Sequence, residues 1–385
     1  MSHSRSWRRA LAAATALSMT AVLAACGGSS SSGGGSSSSG GGSGEGQTLN
    51  VLSWETYHDK AWLDEFTKET GIKVNVVNVG SPDEMFAKVK SNPDQWDIAL
   101  ATAGWFSNYV KEGLIVPIDE SKVKADIKLG FDWKAATSVD GKNYGVLYNW
   151  GDQPLAWLSD SGYTGEPNDW SVLWDPKYKG KVSVFDDPTS VLPMIALAAG
   201  IKDPYHLDDA QFQQMSDKLM ALRPQIKRLT SGFNDQTDQF ATGEASIGYL
   251  NNIASVGAVA KKGKELKVSN TVTQGVPAWS DNYAITKAGA AKGDAAYTFI
   301  NYTETLPWQA RFVSASGNNG TLTYEQATSA DATKAGLTKD QLDATLIPAT
   351  QQGDSFWKAM LFFQTVDDLD KRVALWNEFK LGIGS

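Results

Sequence analysis

Predicted strands and helices alternate along the chain from Thr48 onward, and this alternation restricts the fold more than any other feature of the sequence. Residues 49–52 form an apolar strand, and Asp59–Thr70 is a helix that ends at a glycine. Ile72–Val79 alternates with the period of a strand, and Ser-Pro-Asp-Glu at 81–84 is a helix-starting capping box. Strands separated by helices predict a mainly parallel sheet with helices on both faces, which is an α/β fold.

A second set of elements follows Tyr144–Trp150 and predicts a second α/β lobe. Lys181–Phe185 and Ala245–Leu250 are apolar strands, and Asp208–Leu222 is an amphipathic helix. Tyr283–Thr286 has the pattern of a strand that returns to the first sheet. The chain therefore crosses twice between two lobes, and a cleft between lobes is a preferred place for a ligand.

These elements predict the domain limits. Lobe 1 comprises 47–150 and 281–325, and lobe 2 comprises 151–280 and 326–385. The chain is predicted to close with a long helix or a helix pair over Phe356–Phe379.

The first 25 residues have the pattern of a signal peptide, and we expect them to be removed on export. Arg5, Arg8 and Arg9 precede an apolar run, and the sequence Leu-Ala-Ala-Cys that ends at Cys26 resembles a bacterial lipobox. Cys26 is the only cysteine of the chain, so the folded part contains no disulfide and we expect this thiol to carry lipid. Export through the Sec or the twin-arginine route stays open, since two arginines are adjacent.

Residues 27–44 are all glycine or serine, and 26–46 is predicted to be a flexible tether after the lipidated cysteine. Such a tether reaches roughly 20–25 Å. It predicts an exported domain anchored by lipid alone at the outer face of the cytoplasmic membrane, on the cell surface or in a periplasm.

The charge balance argues against a nucleic-acid partner and against binding to anionic lipid. The net charge is −8, and removal of a signal that holds three arginines and no acidic residue makes it more negative. This balance is compatible with a cationic ligand.

The residues that most enzymes and metal sites require are scarce. The chain has 3 histidines, one of them in the signal, and no pattern typical of a zinc site, a catalytic triad or a nucleotide-binding loop. Asp186 and Asp187 are adjacent, but neighbours on a strand point to opposite faces and do not flank one bond. We therefore predict no catalytic residue, no metal and no cofactor, with a surface carboxylate-dependent hydrolase as the alternative from another class.

The position of Asp187 allows two roles. Because Pro188 follows it, Asp187 has the pattern of a helix N-cap with proline at the first helical position. It also stands at the end of a strand, where open α/β sheets bind ligands.

Aromatic and acidic side chains share such positions at the ends of strands and at the crossings. An aromatic wall attracts an alkylammonium by cation–π interaction, and a carboxylate adds a charge-assisted hydrogen bond. The pattern predicts a binding site for an amine, formed by Trp54, Tyr57, Trp105, Asp152, Asp187, Trp279 and Asp281.

Four segments together resemble the spermidine/putrescine-binding proteins of bacterial ABC transporters. They read LNVLSWETYHDKAWLDEFTKETGIKV, WDIALATAGWFSNYVKEGLIVPID, WSVLWDPKYKGKVSVFDDP and AWSDNYAIT. The resemblance implies a type II periplasmic-binding fold, in which two α/β lobes close over a ligand. It also implies that Trp54 and Tyr57 pack on a polyamine chain, and that Asp187 and Asp281, the latter with Trp279, hold ammonium groups.

The chain departs from that family at several positions. Ser190 stands where a glutamate is common, Asn251 where a tryptophan is expected and Asn318 where a tyrosine is expected. Glu55 and Asp152 are acidic where the family has neutral residues. We include Glu55, Ser190, Asn251 and Asn318 among the candidate ligand-binding residues.

The resemblance implies a monomeric, lipid-anchored substrate-binding protein that delivers a polyamine or a similar small organic cation to an ABC permease in the cytoplasmic membrane. A zwitterionic or neutral solute, such as γ-aminobutyrate, a choline-like compound or a sugar, is the alternative ligand for the same fold.

Overall fold

The computed structural model describes residues 46–366 and 368–383. The predicted signal peptide, Cys26 and the tether as far as residue 45 lie outside the described residues. Within the described part of the chain, no helix is both long enough and apolar enough to cross a bilayer.

The strands lie in two main sheets and one short hairpin. Their bounds are β1 Thr48–Ser53, β2 Lys73–Asn78, β3 Ile98–Thr102, β4 Ser138–Val139, β5 Lys142–Asn143, β6 Val146–Asp152, β7 Leu155–Leu158, β8 Val182–Ser183, β9 Ile247–Tyr249, β10 Leu266–Ser269, β11 Val276–Ile285 and β12 Met360–Phe362.

The α-helices lie between these strands and after them. Their bounds are α1 Lys60–Thr70, α2 Pro82–Ser91, α3 Phe106–Lys111, α4 Pro188–Ala198, α5 Asp209–Met220, α6 Phe233–Ala241, α7 Ser255–Lys261, α8 Lys287–Ala290, α9 Ala295–Thr303, α10 Leu306–Ser316, α11 Tyr324–Ala327, α12 Ala330–Lys334, α13 Lys339–Asp343, α14 Asp354–Ala359 and α15 Leu369–Lys380.

The larger sheet has the order β12-β11-β3-β1-β2, and β6 also pairs with β11. Strands β1, β2 and β3 are parallel, as the alternation of strands and helices predicts, with Val51 opposite both Val76 and Ile98. Strand β11 runs antiparallel to β3 and to β6. The prediction that this late strand returns to the first sheet is therefore confirmed.

The smaller sheet has the order β10-β7-β9-β8. Strands β8 and β9 are parallel, whereas β7 is antiparallel to both of its neighbours. Helix α4 packs on α5 and α15 and contributes to an apolar core beside this sheet. The two sheets and their helices give an α/β fold with two lobes.

The chain passes between the sheets along two strand connections. Strand β6 ends at Asp152 in the larger sheet, and β7 begins at Leu155 in the smaller one. The second connection runs from Ser269, the end of β10, to Val276, the start of β11. In the ladder of β6 with β11, Asp152 lies opposite Ala278, so both connections run side by side.

The helix starts near the cleft follow from the capping residues. The side chain of Ser81 accepts a hydrogen bond from the backbone N–H of Glu84, and proline follows it at the first helical position. Asp187 caps α4 in the same way, accepting from the N–H of Thr189 with Pro188 as the next residue. The predicted capping role of Asp187 is confirmed.

Two predictions for the C-terminal part are wrong. Phe356–Phe379 is not a helix or helix pair, since β12 separates α14 from α15 and pairs with β11. The assignment of all of 326–385 to the second lobe also fails. Helices α12 and α13 pack on α10 and β12 belongs to the larger sheet, whereas α15 packs on α4. Strand β11 also begins at Val276, before the predicted boundary at 281.

Candidate functional site

A cavity of about 470 Å³ lies between the two sheets, at the ends of their parallel strands. From the larger sheet it is lined by residues that follow β1 and β2 and by Thr102, the last residue of β3. From the smaller sheet it is lined by Phe185 after β8 and by Asn251 after β9. Ligands of open α/β sheets bind at this end of the strands, so the cavity is the candidate site.

Asp281 is a buried carboxylate in the wall of the cavity, 4% exposed in the middle of β11. The hydroxyl of Thr102 donates to its Oδ1 at 2.7 Å, and the hydroxyl of Tyr57 donates to its Oδ2 at 2.8 Å. Burial raises the pKa of Asp281 to about 7, and these hydrogen bonds act in the opposite direction. The carboxylate is held in place without a positive charge beside it.

Two aromatic residues after β1 frame Asp281. Trp54 is half-buried, and its Nε1 donates to the carbonyl of Leu100 at 2.9 Å, which fixes the ring at the cavity wall. Tyr57 is buried and accepts a hydrogen bond from Asn149 at 2.9 Å while it donates to Asp281. Both rings lie where the sequence predicts them, at the end of the first strand.

Trp279 lies two residues before Asp281 on the same strand and also lines the cavity. Its ring packs so closely on Gly151 of β6 that a Cβ atom there would lie 2.6 Å from Cζ2. Only glycine therefore leaves room for this ring at the first connection between the lobes.

Asp187 lines the opposite side of the cavity and is 7% exposed. Its Oδ1 accepts from the N–H and the hydroxyl of Thr189 at 2.9 and 2.7 Å, and its Oδ2 accepts from the hydroxyl of Ser190 at 2.5 Å. Burial raises the pKa of Asp187, and these hydrogen bonds lower it. Asp187 is thus both a helix cap and a cavity residue, and Ser190 contacts it directly.

Asp186 has different partners from its neighbour. The indole N–H of Trp376 donates to its Oδ1 at 2.6 Å, and the ammonium of Lys380 lies 3.2 Å from the same oxygen. Both partners belong to α15. Asp186 also lines the cavity, with its charge already compensated. It lies beyond the end of β8, so the alternation of side chains along a strand does not separate it from Asp187.

The remaining polar candidates also line the cavity. Glu55 is exposed toward it, and one of its oxygens accepts from Asn234 of the opposite lobe at 2.5 Å. The backbone N–H of Asn251 donates to Gln236, and the side-chain oxygen of Asn318 accepts from Asn252 at 2.6 Å.

Two predicted site residues lie outside the cavity. Asp152 is fully buried at the first connection, where Asn270 donates to it at 2.6 Å and burial raises its pKa to about 7. Trp105 lies beside a smaller cavity of about 300 Å³, and its Nε1 donates to Thr189 at 3.4 Å. Asp152 pairs with Ala278 in the sheet, and its carboxylate is buried against Asn270 and does not line the cavity.

Several cavity residues were not predicted from the sequence. They are polar or aromatic residues at strand ends, in loops and at helix starts, and they include Thr102, Gln153, Asn234 and Phe363. Thr102 had a usable signal, since it follows the apolar run of residues 98–101. Phe363 had none, because it follows a strand that the sequence pattern does not reveal.

All the charged side chains that line the cavity in the described part of the chain are acidic. Among the described residues, its lining contains no lysine, arginine or histidine, and the acids are Glu55, Asp186, Asp187, Asp235, Asp238 and Asp281. Asp186, Asp235 and Asp238 have ion-pair partners in Lys380, Arg228 and Lys262. Glu55, Asp187 and Asp281 have no such partner within the described part of the chain.

The raised pKa of Asp281 predicts a pH dependence of stability. The unfolded chain loses this proton near the ordinary pKa of 3.8, whereas the folded chain loses it near about 7. The protonated carboxyl group therefore contributes its full stabilisation below the pKa of the unfolded chain, and this contribution is lost as the pH rises through the pKa of the folded chain. An asparagine at this position has no proton to lose. The melting temperature of Asp281→Asn relative to wild type should therefore increase between about pH 5 and about pH 8. A difference that stays constant over this range would contradict the assignment.

The site does not have the arrangement of a metal centre or a triad. No group of three or more His, Cys, Asp or Glu side chains is placed to hold a metal ion within residues 46–366 and 368–383. His58 is hydrogen-bonded to Ser53 at 2.9 Å and to Tyr283 at 3.0 Å, and burial lowers its pKa to about 3. It belongs to an aromatic core rather than to the cavity.

The chain matches known proteins over most of its length. The family described as "Bacterial extracellular solute-binding protein" matches residues 61–360. The spermidine/putrescine-binding periplasmic protein 1 of Haemophilus influenzae is 32% identical over 260 residues, which cover 66% of this chain and 70% of that protein.

Solved structures share the fold. The substrate-binding protein of a spermidine/putrescine ABC transporter from Streptococcus pneumoniae has a TM-score of 0.65 at 23% identity, covering 87% of this chain and 99% of that one. A binding protein from A. tumefaciens R10 in complex with agropinic acid has a TM-score of 0.63 at 23% identity, with coverages of 87% and 99%. The predicted type II periplasmic-binding fold is confirmed.

The family match spans well over half of the chain and agrees with the cleft between two α/β lobes. The prediction that the chain is not an enzyme is confirmed by this match, and the hydrolase alternative is set aside. The chain belongs to the bacterial extracellular solute-binding proteins, and its role is to bind a solute.

Proposed function

We propose that this chain is the substrate-binding protein of an ABC importer and captures a polyamine such as putrescine or spermidine, or a similar small organic cation. The observation that carries this proposal is the set of three carboxylates, Glu55, Asp187 and Asp281, that face the cavity without a basic partner. Asp187 and Asp281 are buried, and burying such charges is costly unless a cation joins them. The similarity to a spermidine/putrescine-binding protein of H. influenzae supports the same ligand class.

The carboxylates and the aromatic rings of the cavity contribute to amine binding in different ways. Asp281 and Asp187 keep oxygen lone pairs free for an ammonium, since the hydroxyls that bind them leave part of each carboxylate unoccupied. Trp54 and Trp279 supply ring faces for the methylene chain and for cation–π attraction, which adds about 0.5–2 kcal/mol for each ring. The bound ammonium lowers the pKa of both carboxyl groups and keeps them ionised.

A zwitterionic ligand is the second candidate. Ser190, Asn251 and Asn318 line the cavity where a polyamine-binding relative is expected to have an acid and two aromatic rings. Amide and hydroxyl groups bind neutral or carboxylate oxygens as well as N–H groups. The binding of agropinic acid by a protein of the same fold is compatible with this alternative.

Fluorescence titration tests the ligand class, because Trp54 and Trp279 lie in the cavity wall. The full-length chain in mild detergent is titrated with putrescine, spermidine, γ-aminobutyrate, choline and a panel of sugars. We expect a saturable change with the diamine or triamine and none with the sugars. Saturation by a sugar alone would overturn the proposal.

Ligand binding should close the two lobes. Contacts between them already cross the cleft, as in the hydrogen bond from Trp105 to Thr189 and that from Asn252 to Asn318. A ligand that contacts both lobes favours the closed state by its difference in affinity for the two states. We expect a smaller radius of gyration in solution X-ray scattering when putrescine is added. Tight binding in the cleft without compaction would rule out this mechanism.

We also propose that Cys26 anchors the exported protein by lipid at the outer face of the cytoplasmic membrane, where it delivers its ligand as a monomer to the permease. The lipobox-like sequence and the Gly/Ser tether support this. Cys26→Ser should release the protein from the membrane fraction or leave the signal uncleaved, as cell fractionation and mass spectrometry of the N-terminus would detect. Normal processing with full membrane retention would disprove the anchor.

A further inference from the structure

Glu55 makes a contact that neither Asp187 nor Asp281 makes. It follows β1 on the side of the larger sheet, and its Oε2 accepts a hydrogen bond of 2.5 Å from Nδ2 of Asn234, in the first turn of α6 on the other lobe. Its Oε1 has no hydrogen-bond partner among the described residues and remains available on the cavity side. The carboxylate is therefore held in the cavity wall by the opposite lobe while keeping an oxygen free.

The three unpaired carboxylates define separate subsites. Asp281 is bound by Tyr57 and Thr102, and Asp187 by Thr189 and Ser190. Glu55 shares no partner with either of them. A ligand whose ammonium meets Asp281 or Asp187 can therefore present a second group to Glu55.

Helix α6 would favour an anion if Glu55 were neutral. Gly232 precedes the helix and offers no side chain to cap it, and residues 232–235 line the cavity. The uncapped N–H groups and the positive end of the helix dipole attract negative charge. Asp235, the acid of this first turn, is already paired with Arg228 at 2.9 Å.

We propose that Glu55 determines specificity: it accepts a ligand whose second terminus is an ammonium and rejects one whose second terminus is a carboxylate. The inference rests on the proposed function and deepens it, since it selects diamines over ω-amino acids. A ligand carboxylate placed beside Glu55 meets a like charge, which is unfavourable. A ligand ammonium donates to the free Oε1 instead.

Putrescine and γ-aminobutyrate test this directly, because both have a four-carbon chain with one ammonium and they differ at the other end. The ratio of their dissociation constants is measured by titration calorimetry at pH 7.5 with the full-length chain. Glu55→Gln keeps an acceptor for Asn234 and removes the charge. Glu325→Gln removes the same charge from the exposed first turn of α11, away from the cavity, and is the matched control.

In the wild type and the Glu325→Gln variant, putrescine should bind more tightly than γ-aminobutyrate by a similar ratio. In Glu55→Gln the ratio should shift toward γ-aminobutyrate by about 30-fold or more. An unchanged ratio in Glu55→Gln, with normal putrescine binding by the wild type, would overturn this inference and leave the proposed function intact. Wild-type protein that binds no amine at all would overturn the proposed function itself.

Discussion

Replacement of Asp281 by asparagine is expected to weaken putrescine binding by about 2–5 kcal/mol, which corresponds to a loss of affinity of about 30-fold to several thousand-fold. The substitution keeps the size of the side chain and an oxygen that accepts from Thr102 or Tyr57. It removes the charge that faces the ammonium in a buried position. Calorimetric titration of the full-length variant measures the loss.

The melting temperature of the ligand-free variant separates loss of the site from loss of the fold. At about pH 8, where the wild-type carboxylate is ionised without a partner, Asp281→Asn should melt no lower than wild type. Asp64→Asn removes an exposed charge from α1 and should leave affinity unchanged. Full affinity for putrescine in Asp281→Asn would mean that Asp281 does not hold the ligand as a cation. A zwitterionic or neutral ligand would then be the favoured proposal.

Replacement of Arg372 by methionine is expected to lower the free energy of unfolding by about 3–5 kcal/mol. Arg372 in α15 is 1% exposed and donates to Asp368 at 2.6 Å and to the carbonyls of Pro204 and Tyr205 at 3.0 and 3.1 Å. Methionine fills a similar volume but leaves the carbonyls of buried Pro204 and Tyr205, and the half-buried Asp368, without this donor, which is the costly outcome. Urea denaturation followed by circular dichroism measures the change.

The neighbouring lysine provides the control for Arg372. Lys371 is exposed and lies 3.4 Å from the fully exposed Asp209, so Lys371→Met should change stability by less than about 1 kcal/mol. Equal effects of the two substitutions would show that the buried network does not stabilise α15. Because Trp376 and Lys380 of this helix hold Asp186 beside Asp187, we also expect α15 to stay folded in the binding-competent protein.

Local sequence patterns predicted the parts of the site that depend on strand ends and helix caps. Asp187 before a proline could be recognised as a cap, and its position after a strand placed it at the cleft. Trp54 followed the same reasoning, which holds because parallel strands end at one edge of a sheet. Asp281 was predicted from its place beside a crossing between the lobes, although it lies within β11. The two-lobe α/β fold was predictable for the same reason, since periodicity distinguishes strands from helices.

Features that depend on contacts between distant segments were not predictable. Asp152 has the same local pattern as Asp281, but it is fully buried and accepts a hydrogen bond from Asn270, which lies 118 residues further along the chain. Strand β12 has three residues, too few to show a period, and it exists because β11 offers an edge for pairing. Asn234 reaches Glu55 from the other lobe over 179 residues of chain, and no local signal marks such a pair.

Titration calorimetry of the wild-type chain with putrescine and spermidine tests the central claim most directly, namely that the unpaired carboxylates of the cleft hold an organic cation. Binding should be saturable with one ligand per chain, and the affinity should fall as the pH is lowered from about 8 to about 5, because Asp281 then takes up a proton. No heat of binding with either amine, together with saturable binding of a sugar or another neutral solute, would contradict it.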